Sequence, residues 1–285
     1  MMNANSAAIN WLLEDSNPAV KYRTHTEILG QPADKAEAAA WLNKFLPYNW
    51  RERTGLWSVY YLNAFAECGL TFEDTKISLE KAVQPFEYNC DNFMRLRALV
   101  RLGLGEEPIA KAIVSSLPER QLPDGGFLCL HRLDKLKYTP KSCVKANIQA
   151  LMFCAECRKN GIHTDVVAPL LDYFWNHRLF YRTDSPSTLI LNGREGWCEI
   201  DTFHPFEVMR VGLHNIVEAF CALGYGNDER LCEAWELLRA KRADDGKYLL
   251  DQTLTKSYLP KERVGKPSKW VTFYALLAEK ERGIQ

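Results

Sequence analysis

Three metal-ligating residue types fall within seven positions of one another: Cys198, Asp201 and His204, in the segment Gly196-Trp197-Cys198-Glu199-Ile200-Asp201-Thr202-Phe203-His204. Thiolate, carboxylate and imidazole are all zinc ligands, and a site with three protein ligands keeps one position open for substrate. The competing reading is structural: a buried Cys198, an Asp201 capping a helix entry, and His204 lining a surface or cavity. Glu199 and Asp201 are the nearest carboxylate pair for sugar chemistry, but residues two apart need a bent loop to flank one bond. Just beyond, Glu207, Arg210 and His214 are spaced by three and four, which puts them on one face if the segment is helical. There Arg210 would bind a diphosphate or carboxylate, and His214 or Glu207 would move protons. His204 would sit at the N-terminal end of that helix, where backbone donors favour anions. A solvated face with internal ion pairs is the alternative.

Basic residues gather at two further places. Lys266, Lys269 and Trp270 begin the last predicted helix, and Lys141, Lys145 and Asn147 lie at the matching place in an earlier one. Together they would form a cationic collar. Cys154 and Cys157 make a lone Cys-x-x-Cys late in an apolar helix. Zinc would need two more ligands, for which His131 and His163 are candidates; a buried Cys154 beside a half-exposed Cys157 is the simpler reading.

Helices must position these groups. Apolar spacing predicts about twelve, over residues 7–14, 17–29, 34–46, 57–68, 72–83, 91–104, 107–117, 142–158, 164–175, 205–223, 228–241 and 268–282. Asn17-Pro18 is a cap followed by proline at the first helical position. Met209, Leu213, Ile216, Val217 and Phe220 form one continuous stripe. No segment shows the alternation of a half-buried strand. The long connections 124–141 and 178–204 are the places where function is expected.

The chain has 285 residues, with Lys plus Arg and Asp plus Glu at 36 each, so its net charge gives no reason to expect nucleic acid as a partner. No apolar run approaches the roughly 18–20 residues that span a bilayer. The start lacks the order of a signal peptide, so a cytoplasmic location is expected. Nine scattered cysteines fit reduced thiols in apolar helices.

One pattern recurs: a glycine, an aromatic, then a helix. It occurs as Gly55-Leu56-Trp57, Asp124-Gly125-Gly126-Phe127, Gly196-Trp197 and Asp245-Gly246-Lys247-Tyr248. The second and fourth copies align, with Leu117–Gln121 matching Leu238–Arg242. A helical hairpin cannot bury its apolar face alone, so neighbours stack and the aromatic acts as a spacer.

Leu117-x3-Gln121-x3-Gly125-x-Phe127 resembles the glutamine–tryptophan repeat of the prenyltransferase and squalene-cyclase superfamily, with Phe in place of Trp. Phe203-His204-Pro205-Phe206 and the segment Gly265-Lys266-Pro267-Ser268-Lys269-Trp270-Val271-Thr272 are similar to bacterial members of that superfamily. The likeness spans residues 50–285. Residues 1–49, above all Asn17–Arg23, look like a HEAT-type hairpin. The resemblance implies a single all-α domain, an α/α toroid around a central cavity. It implies an isoprenoid or other elongated apolar ligand, its tail against Trp57, Phe127, Phe206 and Trp270 and its anionic head on Arg210, Lys269 or Lys145. The superfamily's Asp-x-Asp-Asp acid motif, its Asp-rich magnesium motif and its Asp-x-Cys zinc pair are all missing. No reaction therefore carries over, and zinc or magnesium stays open as a cofactor. Two other readings stand beside this one: a helical-repeat scaffold that binds a protein partner, and a carbohydrate-active α/α barrel.

Overall fold

The computed structural model describes residues 4–84, 89–128, 142–189, 211–252 and 259–283. These form thirteen α-helices and one short hairpin. The helices are α1 (Ala4–Leu12), α2 (Pro18–Arg23), α3 (Ala36–Asn43), α4 (Leu56–Glu67), α5 (Phe72–Thr75), α6 (Leu79–Ala82) and α7 (Asn89–Arg101). They continue as α8 (Pro108–Ser115), α9 (Val144–Lys159), α10 (Val167–Asn176), α11 (Leu213–Ala222), α12 (Cys232–Ala240) and α13 (Lys269–Gly283). Strands β1 (Tyr181–Arg182) and β2 (Ser185–Leu189) pair antiparallel between α10 and α11.

Local chemistry sets the boundaries. Asn17 caps α2 by accepting from the Val20 amide at 3.1 Å, with Pro18 at the first position. The chain then continues as a π-helical turn, Thr24–Ile28. The helix expected over 72–83 is two short helices instead. Thr71 and Asp74 close a capping box on α5, Lys76 takes a left-handed φ of 55°, and Ser78 starts α6 afresh. The helix expected over 205–223 begins only at Leu213 among the described residues, because Val211 and Gly212 are not helical.

Burial divides the helices into two classes. In α11 every residue from Leu213 to Cys221 is buried, and in α13 every residue from Lys269 to Ala278. Helix α9 is almost as enclosed. By contrast α12 buries only Ala234, Trp235 and Leu238, and α10 only Leu170, Leu171, Tyr173 and Phe174. The enclosed helices pack in chain order: α4 on α7, α7 on α9, α9 on α11, α11 on α13. The half-buried ones cover them, α10 on α9 and α12 on α11. The first fifty residues join the far end of the chain, since α1, α2 and the π turn all pack on α13.

Two glycine–aromatic turns are built alike, bond for bond. Leu122 N donates to Gly126 O at 2.8 Å, as Ala243 N does to Lys247 O at 2.8 Å. The Phe127 amide donates to the Asn147 side chain at 2.7 Å, and the Tyr248 amide to the Thr272 hydroxyl at 2.9 Å. Cys143 N donates to Phe127 O, and Ser268 N to Tyr248 O. Phe127 and Tyr248 are both fully buried, as a spacer between hairpins requires. Gly55 differs: with a φ of 63° it caps α4 directly, without the turn. The Gly196-Trp197 copy lies outside the described residues.

Gln121 adds a staple of its own. Its Nε2 donates to Gly125 O at 2.7 Å and to Val166 O, at the start of α10, at 3.0 Å. Gly125 has a φ of +85°, and a Cβ there would fall on the Pro169 carbonyl. Gly125→Ala is therefore expected to cost about 2–4 kcal/mol, from left-handed backbone plus overpacking. Gly161→Ala, at a φ of +70° but facing open space, should cost only about 1 kcal/mol. Urea unfolding midpoints of the two variants check the difference.

Candidate functional site

On the enclosed helices, stripes in steps of three and four, which keep to one helical face, end in charged residues on α4, α7, α9 and α13. In α4 the stripe is Trp57, Tyr60, Ala64 and Glu67; in α7 it is Met94, Arg97 and Arg101. In α9 it is Lys145, Gln149, Met152, Glu156 and Lys159. Helix α11 contributes His214, Glu218 and Cys221, and α13 contributes Trp270, Tyr274, Leu277 and Glu281. The two matched turns pair Asn147 with Thr272, so Lys145 matches Trp270 and Glu156 matches Glu281.

At the C-terminal ends these stripes meet in an ionic circuit. Arg23 Nη1 on α2 donates to Glu67 Oε1 on α4 at 2.9 Å. Glu67 Oε2 accepts from Arg101 on α7 at 3.2 Å, and Arg97 stands 3.5 Å from the same oxygen. Arg101 reaches Glu156 on α9 at 3.3 Å. One turn on, Lys159 pairs with Glu218 on α11 and with Glu281 on α13 at 3.1 Å. Arg23 Nη1 also donates to the Tyr274 hydroxyl on α13 at 3.3 Å, which completes the circuit. Side chains from the last turns of α4, α7, α9 and α13 thus meet, which brings the C-terminal ends of these helices together.

Glu67 is fully buried, and three guanidinium groups answer its one charge. Burial depresses the Arg97 guanidinium, Glu67 pulls it back, and the like charge of Arg101 adds to the depression. Burial would raise the Glu27 carboxyl, but Arg23, bonded to it twice at 2.5 and 2.7 Å, holds it at about 2. Glu156 is likewise lowered against its burial by Arg101 and Lys159. Lys159 is raised, its burial outweighed by Glu218 and Glu156.

At the N-terminal ends, the second residue of four helices is Trp57, Lys145, His214 and Trp270. Trp57 is 46% exposed and its ring lies 5.9 Å from that of Tyr60. Lys145 is half-buried. His214 and Trp270 are both buried, Trp270 in the hydrophobic core, and the His214 ring lies 6.0 Å from that of Tyr274.

The structure redraws several expectations. Lys269 is not on a cationic rim: its ammonium donates to the Trp11 and Glu14 carbonyls at 2.7 and 3.1 Å, capping the end of α1. It matches Val144 in the repeat, not Lys145. Phe127 does not line a wall either. It is a core residue, edge-on to Phe93 at 4.7 Å. Asn147 braces the turn. Cys157 is buried like Cys154, and burial lifts both thiols, Cys154 to about 12. His163 pairs with Asp165 at 2.9 Å. The break at Val211 and Gly212 separates His214 from Glu207 and Arg210, so no continuous helix face joins the three. Cys198, Glu199, Asp201, His204, Phe206, Glu207 and Arg210 lie outside the described residues, as do His131 and Lys141. No group of three metal-ligating side chains occurs among the described residues.

No protein-family model matches the chain, and no curated protein and no solved structure matches it.

The circuit generates two expectations. Glu67→Ala removes the carboxylate that three buried guanidinium groups share, leaving Arg23 to Glu27 and Arg101 to Glu156, and should cost about 3–5 kcal/mol in thermal or denaturant unfolding. Glu27 sits at about 2 when folded against 4.5 as a free group. Its contribution is full above pH 4.5 and is lost as pH falls through about 2. A melting-temperature series from pH 6 to 2 should fall more steeply for the native chain than for Glu27→Gln.

Proposed function

We propose that the inner helices run parallel and form an α/α toroid of the prenyltransferase and squalene-cyclase type, and that it holds an elongated apolar ligand with an anionic head. In this reading α4, α7, α9, α11 and α13 surround an axis, and α2 closes the gap between α13 and α4. The ionic circuit floors the barrel at the C-terminal ends. The ligand enters from the opposite end.

The observation that carries the reading is the set of second residues of four inner helices: Trp57, Lys145, His214 and Trp270. Three are aromatic and one is cationic. Aromatic faces suit an unsaturated hydrocarbon tail, and Lys145 suits a diphosphate or carboxylate. Parallel helix starts also pool positive dipole ends, which favour an anion there. Phe206 and Arg210, just ahead of α11, are assigned to the tail wall and the head. His204, Asp201, Glu207 and His214 are the residues this reading assigns to proton transfer if a reaction takes place. Zinc or magnesium would enter through Cys198, Asp201 and His204; no step is routed through it.

Farnesyl diphosphate titrated into the protein, followed by tryptophan fluorescence with and without zinc or magnesium, tests the reading. Saturable quenching is expected, weakened about tenfold in Lys145→Ala by loss of one charge-assisted contact. Absence of binding under every metal condition would overturn it in favour of the protein-binding scaffold.

A further inference from the structure

We propose that the junction of α9, α11 and α13 is a pH-operated latch, in which one ammonium, Lys159, ties two carboxylates, Glu218 on α11 and Glu281 on α13, to α9, and which loosens when Glu281 gives up its proton to solvent. It stands apart from the ligand-binding reading.

The geometry is two carboxylates on one ammonium. Lys159 Nζ pairs with Glu218 and, through Glu281 Oε1, with Glu281 at 3.1 Å. Glu281 Oε2 is buried and makes no hydrogen bond. A buried carboxylate oxygen without a donor is costly when charged and tolerable when it carries a proton. Burial, and next the charge of Glu218, accordingly push the Glu281 carboxyl up to about 8.

Among the described residues no second cation forms an ion pair with either carboxylate; Arg97 on α7 feels the charge of Glu218 but is paired with Glu67. On α9, Glu156 is held ionised by Arg101 and Lys159. On α11, burial together with Glu218 and Glu281 keeps the Cys221 thiol neutral. On the π turn, Glu27 is bound by Arg23, which also holds Glu67 and Tyr274. On α13 itself, Lys280 donates to the Glu27 carbonyl at 2.6 Å. Arg282 turns to Asn227 at 2.8 Å and to the Trp235 ring at 4.9 Å. Lys159 alone among the described residues answers the pair.

The latch reaches the rest of the chain through α13, which also holds the N-terminal helices. Asn5 donates to Glu279 at 3.2 Å, and Lys269 caps α1. The sign follows from linkage. Glu281 binds its proton more tightly folded than free, so its contribution is full below about pH 4.5 and is lost as pH rises through about 8.

Hydrogen exchange of amides 276–283, corrected for intrinsic rates, reads the opening directly. In the native chain the opening constant should rise by up to about tenfold per pH unit between roughly pH 5 and 8, then level off. Glu281→Gln should flatten that slope. Glu218→Gln, which leaves Glu281 alone with Lys159, should flatten it too, and serves if the first variant does not fold. A native slope already flat, or the same slope in the native chain and in Glu218→Gln, would overturn the latch.

Discussion

The ion-pair cluster at the C-terminal ends of α4, α7, α9 and α13 is the constraint on which the rest of the packing depends. Helix C-terminal ends carry negative partial charge and favour cations. Here the cluster also holds Glu67, Glu156, Glu218 and Glu281. Such a cluster exists only because Arg23, Arg97, Arg101 and Lys159 reach into it from three different elements. Breaking any one pair leaves a buried charge behind, so the helices are bound to one another in register as well as packed. Apolar stripes of similar shape would slide; charges that must be answered do not.

The same requirement explains the N-terminal segment. Without α2 there is no Arg23, and Glu67 on α4 loses the link that ties it to Tyr274 on α13. Residues 4–28 are thus an integral part of the packing, held on α13 by side chains of α13 itself. Lys269 shows how completely this need takes over a residue: a lysine at a helix start would ordinarily face water, but here its ammonium satisfies the last carbonyls of α1.

Much of this was legible in the sequence. Helix positions followed from apolar spacing, and the alignment of Gln121 with Arg242 and of Phe127 with Tyr248 survives as matched hydrogen bonds. What escaped were choices made by tertiary contact. Spacing alone puts Lys269 on a rim, yet its partner lies more than two hundred and fifty residues away in sequence. An aromatic after a turn fits a cavity wall and a core equally well, and Phe93 decides for the core. The stripe over 205–223 reads as one helix because Val211 is apolar and Gly212 small, while Gly212 in fact caps α11. The circuit does leave a trace in the sequence: helices as enclosed as α9 and α13 hold charges at fixed steps of three and four. An exposed face would also show such charges, and only burial separates the two.

A double-mutant cycle on Arg23 and Glu67, with Arg23→Met, Glu67→Gln and the pair together, measures whether the circuit joins the first helices to α4. The two side chains meet at 2.9 Å with both fully enclosed. A coupling of about 1–3 kcal/mol in denaturant unfolding is the predicted result. Additivity within about 0.5 kcal/mol would contradict the account, because the first helices would then be held on α4 without the charges that the circuit assigns to that task.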